Sequence, residues 1–338
     1  MSLSPNTHFS RRHLLGAAMA AAASPQLAAP LFAEDKPVKR QKAQIAITLD
    51  LEMSRHYPRR GLTEWDYQKG NLDGPTKRYS VDAASIVHDY NAVIHFFCVG
   101  RVLEQPDIEW LQQISNQGHP IGNHTYDHVN VQATEATKTQ FRFERAPWLV
   151  ANRTAAQVIA ENIRMTGVGL KERAGITQNG FRTPGGFRDG QKARPDIQEL
   201  LLSLGFPWIS SLYPRHKYGE PRKEPGADVY DNIVAAQQMA QPFRYPNGLL
   251  EIPMSPISDV GAFRSTFWTL DYFLKAIRLA VEWTIENRAV FDFLCHPSCM
   301  VVEDPEFKTI QMICELVQAA GDRAEIVGLD KIAEPYLK

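Results

Sequence analysis

QIAITLDLE, residues 44–52, decides the fold. The run is apolar and isoleucine-rich up to Asp50, which is how a strand covered on both faces reads. Strands of that kind belong to parallel sheets flanked by helices. The acids Asp50 and Glu52 fall where the apolar run stops. In an α/β sheet that end of a strand is where sites are built.

Downstream the same alternation recurs. Helical stretches at 79–90, 108–117, 154–173, 196–204, 270–287 and 305–320 alternate with strand-like runs at 92–99, near 120–121, and at 180–183, 208–212, 249–253, 290–294 and 324–327. Phe273, Ile277 and Val281 recur every four residues on one helical face. Seven or eight βα units without an internal linker predict an α/β protein with a single distorted, closed (β/α) barrel over residues 34–338. Residues 54–78 and 129–150 fit no element and read as long loops.

Lys and Arg number 37 against 38 Asp and Glu, so the net charge of −1 offers no field to gather nucleic acid. Four cysteines are too few for a disulfide scaffold. Residues 1–33 stand apart. Ser10, Arg11, Arg12, His13, Leu14 and Leu15 lead into an alanine-rich run with no acid, the pattern of a twin-arginine export signal. The apolar run at 14–23 is too short for a spanning helix, which needs ~20 residues. Cleavage after Ala23 or Ala33 is expected, giving an exported, periplasmic or extracellular protein with no membrane span in the mature chain.

Four segments put ionisable side chains at strand ends: Thr48-Leu49-Asp50-Leu51-Glu52, His124-Thr125-Tyr126-Asp127-His128, Arg182-Thr183-Pro184-Gly185 and Leu294-Cys295-His296. Two imidazoles with one carboxylate suit zinc and leave a position for water. Asn123 and Asp127 are placed to orient those rings. His119 reads as structural, and Cys295 and Cys299 as small buried residues.

The order and spacing of these segments resemble the polysaccharide deacetylase family, carbohydrate esterase family four, from about residue 44 to His296 and onward. The resemblance implies a divalent metal, usually zinc, at the mouth of a distorted barrel, and hydrolysis of N-acetyl groups from amino sugars. It makes Asp50 the general base, His124 and His128 metal ligands, and Arg182 the residue that orients the catalytic aspartate. It further makes the Gly185 backbone N–H an oxyanion donor and His296 the general acid that protonates the leaving amine.

Three departures matter. Leu51 stands where a second, metal-binding aspartate is usual. Strand alternation turns residues i and i+2 to one face, so Glu52 can take that role beside Asp50 while Leu51 packs. The competing reading makes Glu52 a loop salt bridge and loses the metal. Gly185 replaces an aromatic residue, and the fourth motif survives only as Gly205-Phe206-Pro207-Trp208, without the acid expected to partner Arg182. Trp208 reads as core, whereas Trp65, Tyr67, Trp148 and Tyr213 are candidates to stack on sugar rings.

Three functions follow as expectations: a metal-dependent sugar N-deacetylase, an allantoinase-like hydrolase of a small amide or cyclic imide, with or without metal, and a non-catalytic carbohydrate-binding barrel. The partner is a carbohydrate or small amide in the first two.

Overall fold

A computed structural model describes residues 40–57, 59 and 65–338, apart from the side chains of Trp65 and Asp66. The twin-arginine segment and both cleavage positions lie outside the described residues. Among the described residues nine strands form one sheet: β1 (Ala43–Leu51), β2 (Ile94–Cys98), β3 (Ile121–Asn123), β4 (Phe181–Phe187), β5 (Trp208–Leu212), β6 (Phe243–Arg244), β7 (Leu250–Glu251), β8 (Val290–Cys295) and β9 (Ala324–Ile326). Their order is β6-β7-β5-β4-β3-β2-β1-β8, with β9 on β1. All pairings are parallel except β6 with β7.

Alternation along β1 sorts its side chains into two layers. Ile45, Ile47, Leu49 and Leu51 pack outward among helical residues such as Ala83, Val87, Phe273 and Ile277. Ala46 faces the other way and packs with Phe97, Trp208 and Leu250, beneath Leu329, Ile332 and Ala333 of the helix Leu329–Leu337. Thr48 and Asp50 continue that inner row upward.

The expected distorted barrel is borne out as a curled sheet, which stays open between β7 and β8 for a local reason. β7 is only two residues long, and the chain after it carries Pro253 and Pro256, which have no N–H to give to a ladder. Across this gap Ser255 N–H donates to Asp292 O at 2.9 Å. The helix expected from residue 79 starts at Gly74, because Asp73 caps Thr76 N–H at 2.8 Å ahead of Pro75. The sequence expectations lack β6 and the helices Ala227–Gln237, Pro297–Glu303 and Leu329–Leu337. No described helix is long and apolar enough to cross a membrane.

Candidate active site

β1 delivers Asp50 and Glu52, but not as a continuous strand. It ends at Leu51, and Glu52 N–H donates back to Asp50 O at 2.9 Å, a three-residue turn that swings Glu52 to the inner side. Leu51 is wholly buried in the outer core. Glu52 Oε1 accepts from Lys69 Nζ, and both side chains are buried. Burial alone would raise the Glu52 pKa, but His128, Lys69 and His124 hold it well below the ordinary carboxylate range. Lys69 lies in the stretch that fitted no element, and the sequence expectations did not include it.

β3 delivers the two imidazoles. Thr125 and His128 both adopt left-handed backbone, at φ 58° and 57°, a conformation that costs β-branched and bulky residues and is held here by its surroundings. Asn123 Oδ1 accepts from Thr125 N–H at 2.9 Å, Thr125 Oγ1 accepts from Val129 N–H at 3.0 Å, and Asn162 Oδ1 accepts from Asp127 N–H at 2.8 Å. Asn123 and Asp127 therefore do not orient the rings directly. Asn123 shapes the loop, and Asp127 pairs with Arg142 at 3.0 Å. The His124 ring is set by Nδ1–H donating to the Arg182 carbonyl at 2.9 Å. Its Nε2 is then a bare lone pair facing Glu52 Oε2 at 3.6 Å and Asp50 Oδ2 at 3.7 Å.

His128 Nε2 lies 2.8 Å from the same Glu52 Oε2. Burial, against the pull of Glu52, lowers the His128 pKa to about 4, so the ring is neutral near pH 7. Glu52 Oε2 is buried and completes no hydrogen bond. One ligand atom from each of Glu52, His124 and His128 lies within 4.8 Å of the others, the only such group of metal-ligand type among the described residues. A buried carboxylate oxygen and two imidazole nitrogens converging on one space are donors of the kind a divalent cation takes. The donor set fits one.

Arg182 on β4 is fully buried over the Phe97 ring, 4.4 Å from its centroid. Its Nη1 donates to Thr48 Oγ1 at 2.7 Å and to Asp50 Oδ1 at 3.3 Å, and its Nη2 to Ser210 Oγ at 3.1 Å and Asp292 Oδ2 at 2.5 Å. The acid that the sequence expectation found missing is thus supplied by β8. Burial, opposed by Arg182, raises the Asp292 pKa to about 6. Beyond Arg182, Gly185 has φ 76°, where a Cβ would meet nothing within 4 Å. An aromatic residue fits that space but not that backbone, which accounts for glycine at this position.

His296 follows β8. Burial would lower its pKa, but Asp259, Glu52 and Asp50 raise it above the ordinary histidine value. Its Nε2 points to Glu52 Oε1 at 3.5 Å and Asp50 Oδ2 at 4.0 Å. Asp259, fully buried and 3.1 Å from His296 Nδ1, is a second residue absent from the sequence expectations. Cys295 and Cys299 are buried free thiols.

A cavity of about 210 Å³ connects these groups: Asp50, Glu52, Lys69, His124, His128 and His296 line it with Gly185 and Tyr213. The Trp65 side chain lies outside the described residues, and of the other aromatic candidates Tyr213 alone lines this cavity. Trp148 is 72% exposed, Tyr67 packs edge-on against Phe141, and Trp208 is core as expected.

The polysaccharide deacetylase family profile matches residues 73–200. A chitooligosaccharide deacetylase of Azorhizobium caulinodans is 33% identical over 75 residues, a stretch covering 22% of this chain and 35% of that protein. A crystal structure from Mycobacterium smegmatis assigned as a polysaccharide deacetylase superposes with TM-score 0.59 at 16% identity, over 90% of this chain and 92% of that one. That superposition shows a shared fold. The profile match shows that residues 73–200 are similar to the polysaccharide deacetylase family, and the chain spans about a third of the length of the curated relative it matches.

Proposed function

We propose that this protein is a metal-dependent hydrolase that removes N-acetyl groups from an amino-sugar saccharide. The observation that carries the reading is the buried Glu52 Oε2, without a hydrogen bond and faced by the bare Nε2 of His124 and by His128. These three residues would hold a divalent cation, zinc by their ligand chemistry, which when bound polarises the acyl carbonyl and activates water at neutral pH.

Asp50 takes the proton of the attacking water. Its carboxylate is fixed for that by the Arg182 contact at 3.3 Å. Gly185 lines the cavity, and its N–H would stabilise the oxyanion. His296, whose pKa its carboxylate neighbours raise against burial, gives its proton to the departing nitrogen. In this reading residues 1–33 are a twin-arginine signal and the enzyme acts outside the cytoplasm.

A second reading rests on Lys69, which already supplies a counter-charge to Glu52. In it the pocket hydrolyses a small amide or cyclic imide without metal. Metal analysis and acetate release from N-acetylated oligosaccharides, before and after chelation, separate the two. About one metal per chain with activity lost on chelation is expected; undiminished turnover by metal-free protein selects the second reading.

A further inference from the structure

Beside the catalytic cavity lies a second one of about 410 Å³, and the two share Gly185, Gly186, Tyr213, Val260 and Arg264 as walls. Arg188, Arg215 and His216 also line the second cavity, and among the described residues no Asp or Glu does. Arg188, Arg215 and Arg264 make no ion pair or hydrogen bond with any described residue. Other surface cations are matched in part, as in Lys138 with Glu144, Lys217 with Asp228 and Lys308 with Glu306. The whole chain carries −1, so this concentration is local.

Three guanidinium groups around one cavity repel each other, and an anion among them relieves that repulsion. Arginine presents a planar fork that pairs with both oxygens of a carboxylate or phosphate, which lysine does not. Tyr213 stands between the two cavities with an aromatic face for a pyranose ring.

We propose that the second cavity binds an acid group, a carboxylate or phosphate ester, on the saccharide beside the sugar being deacetylated, so that acidic saccharides are preferred over neutral ones. The proposal rests on the deacetylase reading of the adjoining cavity. Its probes are the hyaluronan tetrasaccharide, in which glucuronate alternates with N-acetylglucosamine, the same molecule with its carboxyls reduced to alcohols, and N-acetylglucosamine 6-phosphate as an inhibitor.

KM for the carboxylate form is expected to be about tenfold below that for the reduced form. The gap shrinks to under twofold in the R188Q/R215Q variant and at 1 M salt, where charge interactions are screened to ~3 Å. Inhibition by the sugar phosphate that exceeds that by N-acetylglucosamine, and that is lost in the variant, extends the site to phosphate; equal inhibition limits it to carboxylate. Equal KM for the two tetrasaccharides, or a gap that survives in the double variant, overturns the proposal while leaving deacetylation intact. Should no saccharide be hydrolysed, the deacetylase reading fails and calorimetric titration decides this one. Tighter binding of the carboxylate form, lost in the variant, then upholds it, and equal binding of both forms overturns it.

Discussion

Asp259 grips His296 twice. Its Oδ2 accepts the His296 backbone N–H at 2.8 Å, and both oxygens lie 3.1 Å from the ring Nδ1. The carboxylate thereby fixes Nδ1–H on its own side and turns Nε2 into the cavity. Asp259 is itself held by the turn it begins, with Oδ1 accepting from Val260 N–H at 2.8 Å.

This grip makes Asp259→Asn the first test of the proton-transfer roles. A carboxamide carries no charge, so the imidazolium of His296 loses the partner that stabilises it, and an NH₂ turned to Nδ1 holds the opposite tautomer. On the proposed reaction kcat falls roughly 10² or more, as a wrong tautomer costs in comparable dyads. KM and metal content stay within about twofold, because Asp259 touches neither ligand set nor saccharide. A parallel fall in metal content would show that Asp259 supports the fold of the site instead.

The second test concerns residues 51 and 52. Glu52→Gln keeps the size of the side chain but removes the charge that faces His124 and His128. Metal affinity is expected to drop about 10-fold or more, since losing a direct ligand costs at least what losing its supporting hydrogen bonds does. Leu51→Val, in the outer core, leaves affinity near the parent value and costs about 1 kcal/mol of stability. Competition titration with a chelating dye at one pH reads both. Unchanged affinity in the glutamine variant moves the carboxylate ligand elsewhere.

Much of the site was readable because period-2 patterning is strict. Ile45, Ile47, Leu49 and Leu51 could face only the helices, which left Thr48 and Asp50 inside. The pairing of Glu52 with the histidines follows from the same register, though a turn rather than the strand completes it. Lys69 was hidden because the loop that carries it has no period. Asp292 did leave a signal: an acid inside the apolar run VFDFLC must meet a buried cation, and Arg182 is that cation. Asp259 left none, since its contact with His296 is made by an irregular segment that closes the gap between β7 and β8.

Acid sensitivity of the fold follows from two other histidines. His119 Nδ1 accepts from Ile94 N–H at 2.9 Å, and His95 Nδ1 accepts from Leu329 N–H at 3.2 Å. Protonation would set N–H against N–H at both. Burial lowers each pKa from 6.5 to about 4, with His88 adding to the effect at His119 and Asp330 opposing it at His95. The folded state therefore binds fewer protons than the unfolded chain below pH 6.5. The stability contributed by the neutral rings is complete above pH 6.5 and is lost as pH falls through about 4. Urea midpoints measured between pH 7.5 and 4.5 should decline on the acid side. His119→Asn, which keeps an acceptor without titrating, should flatten that decline; an unaltered slope would remove His119 from the account.

Lys69 separates the two readings of the pocket. Its ammonium is buried against Glu52 Oε1, so in metal-free protein it is a counter-charge for that carboxylate. Lys69→Met keeps a flexible chain of similar length and deletes the charge. Breaking one side of a buried ion pair leaves the partner uncompensated, so the metal-free variant should lose about 3 kcal/mol. A divalent cation then supplies what the lysine did, and the repulsion between ammonium and cation is gone. Zinc should accordingly bind Lys69→Met at least as tightly as the parent and raise its Tm by more than it raises the parent's. Calorimetric affinity and melting with and without zinc measure both. If the variant instead loses zinc tenfold, Lys69 positions Glu52 for the cation. If neither protein binds zinc and the variant loses all turnover, Lys69 is the cation of the site, and the metal-free hydrolase is the better description.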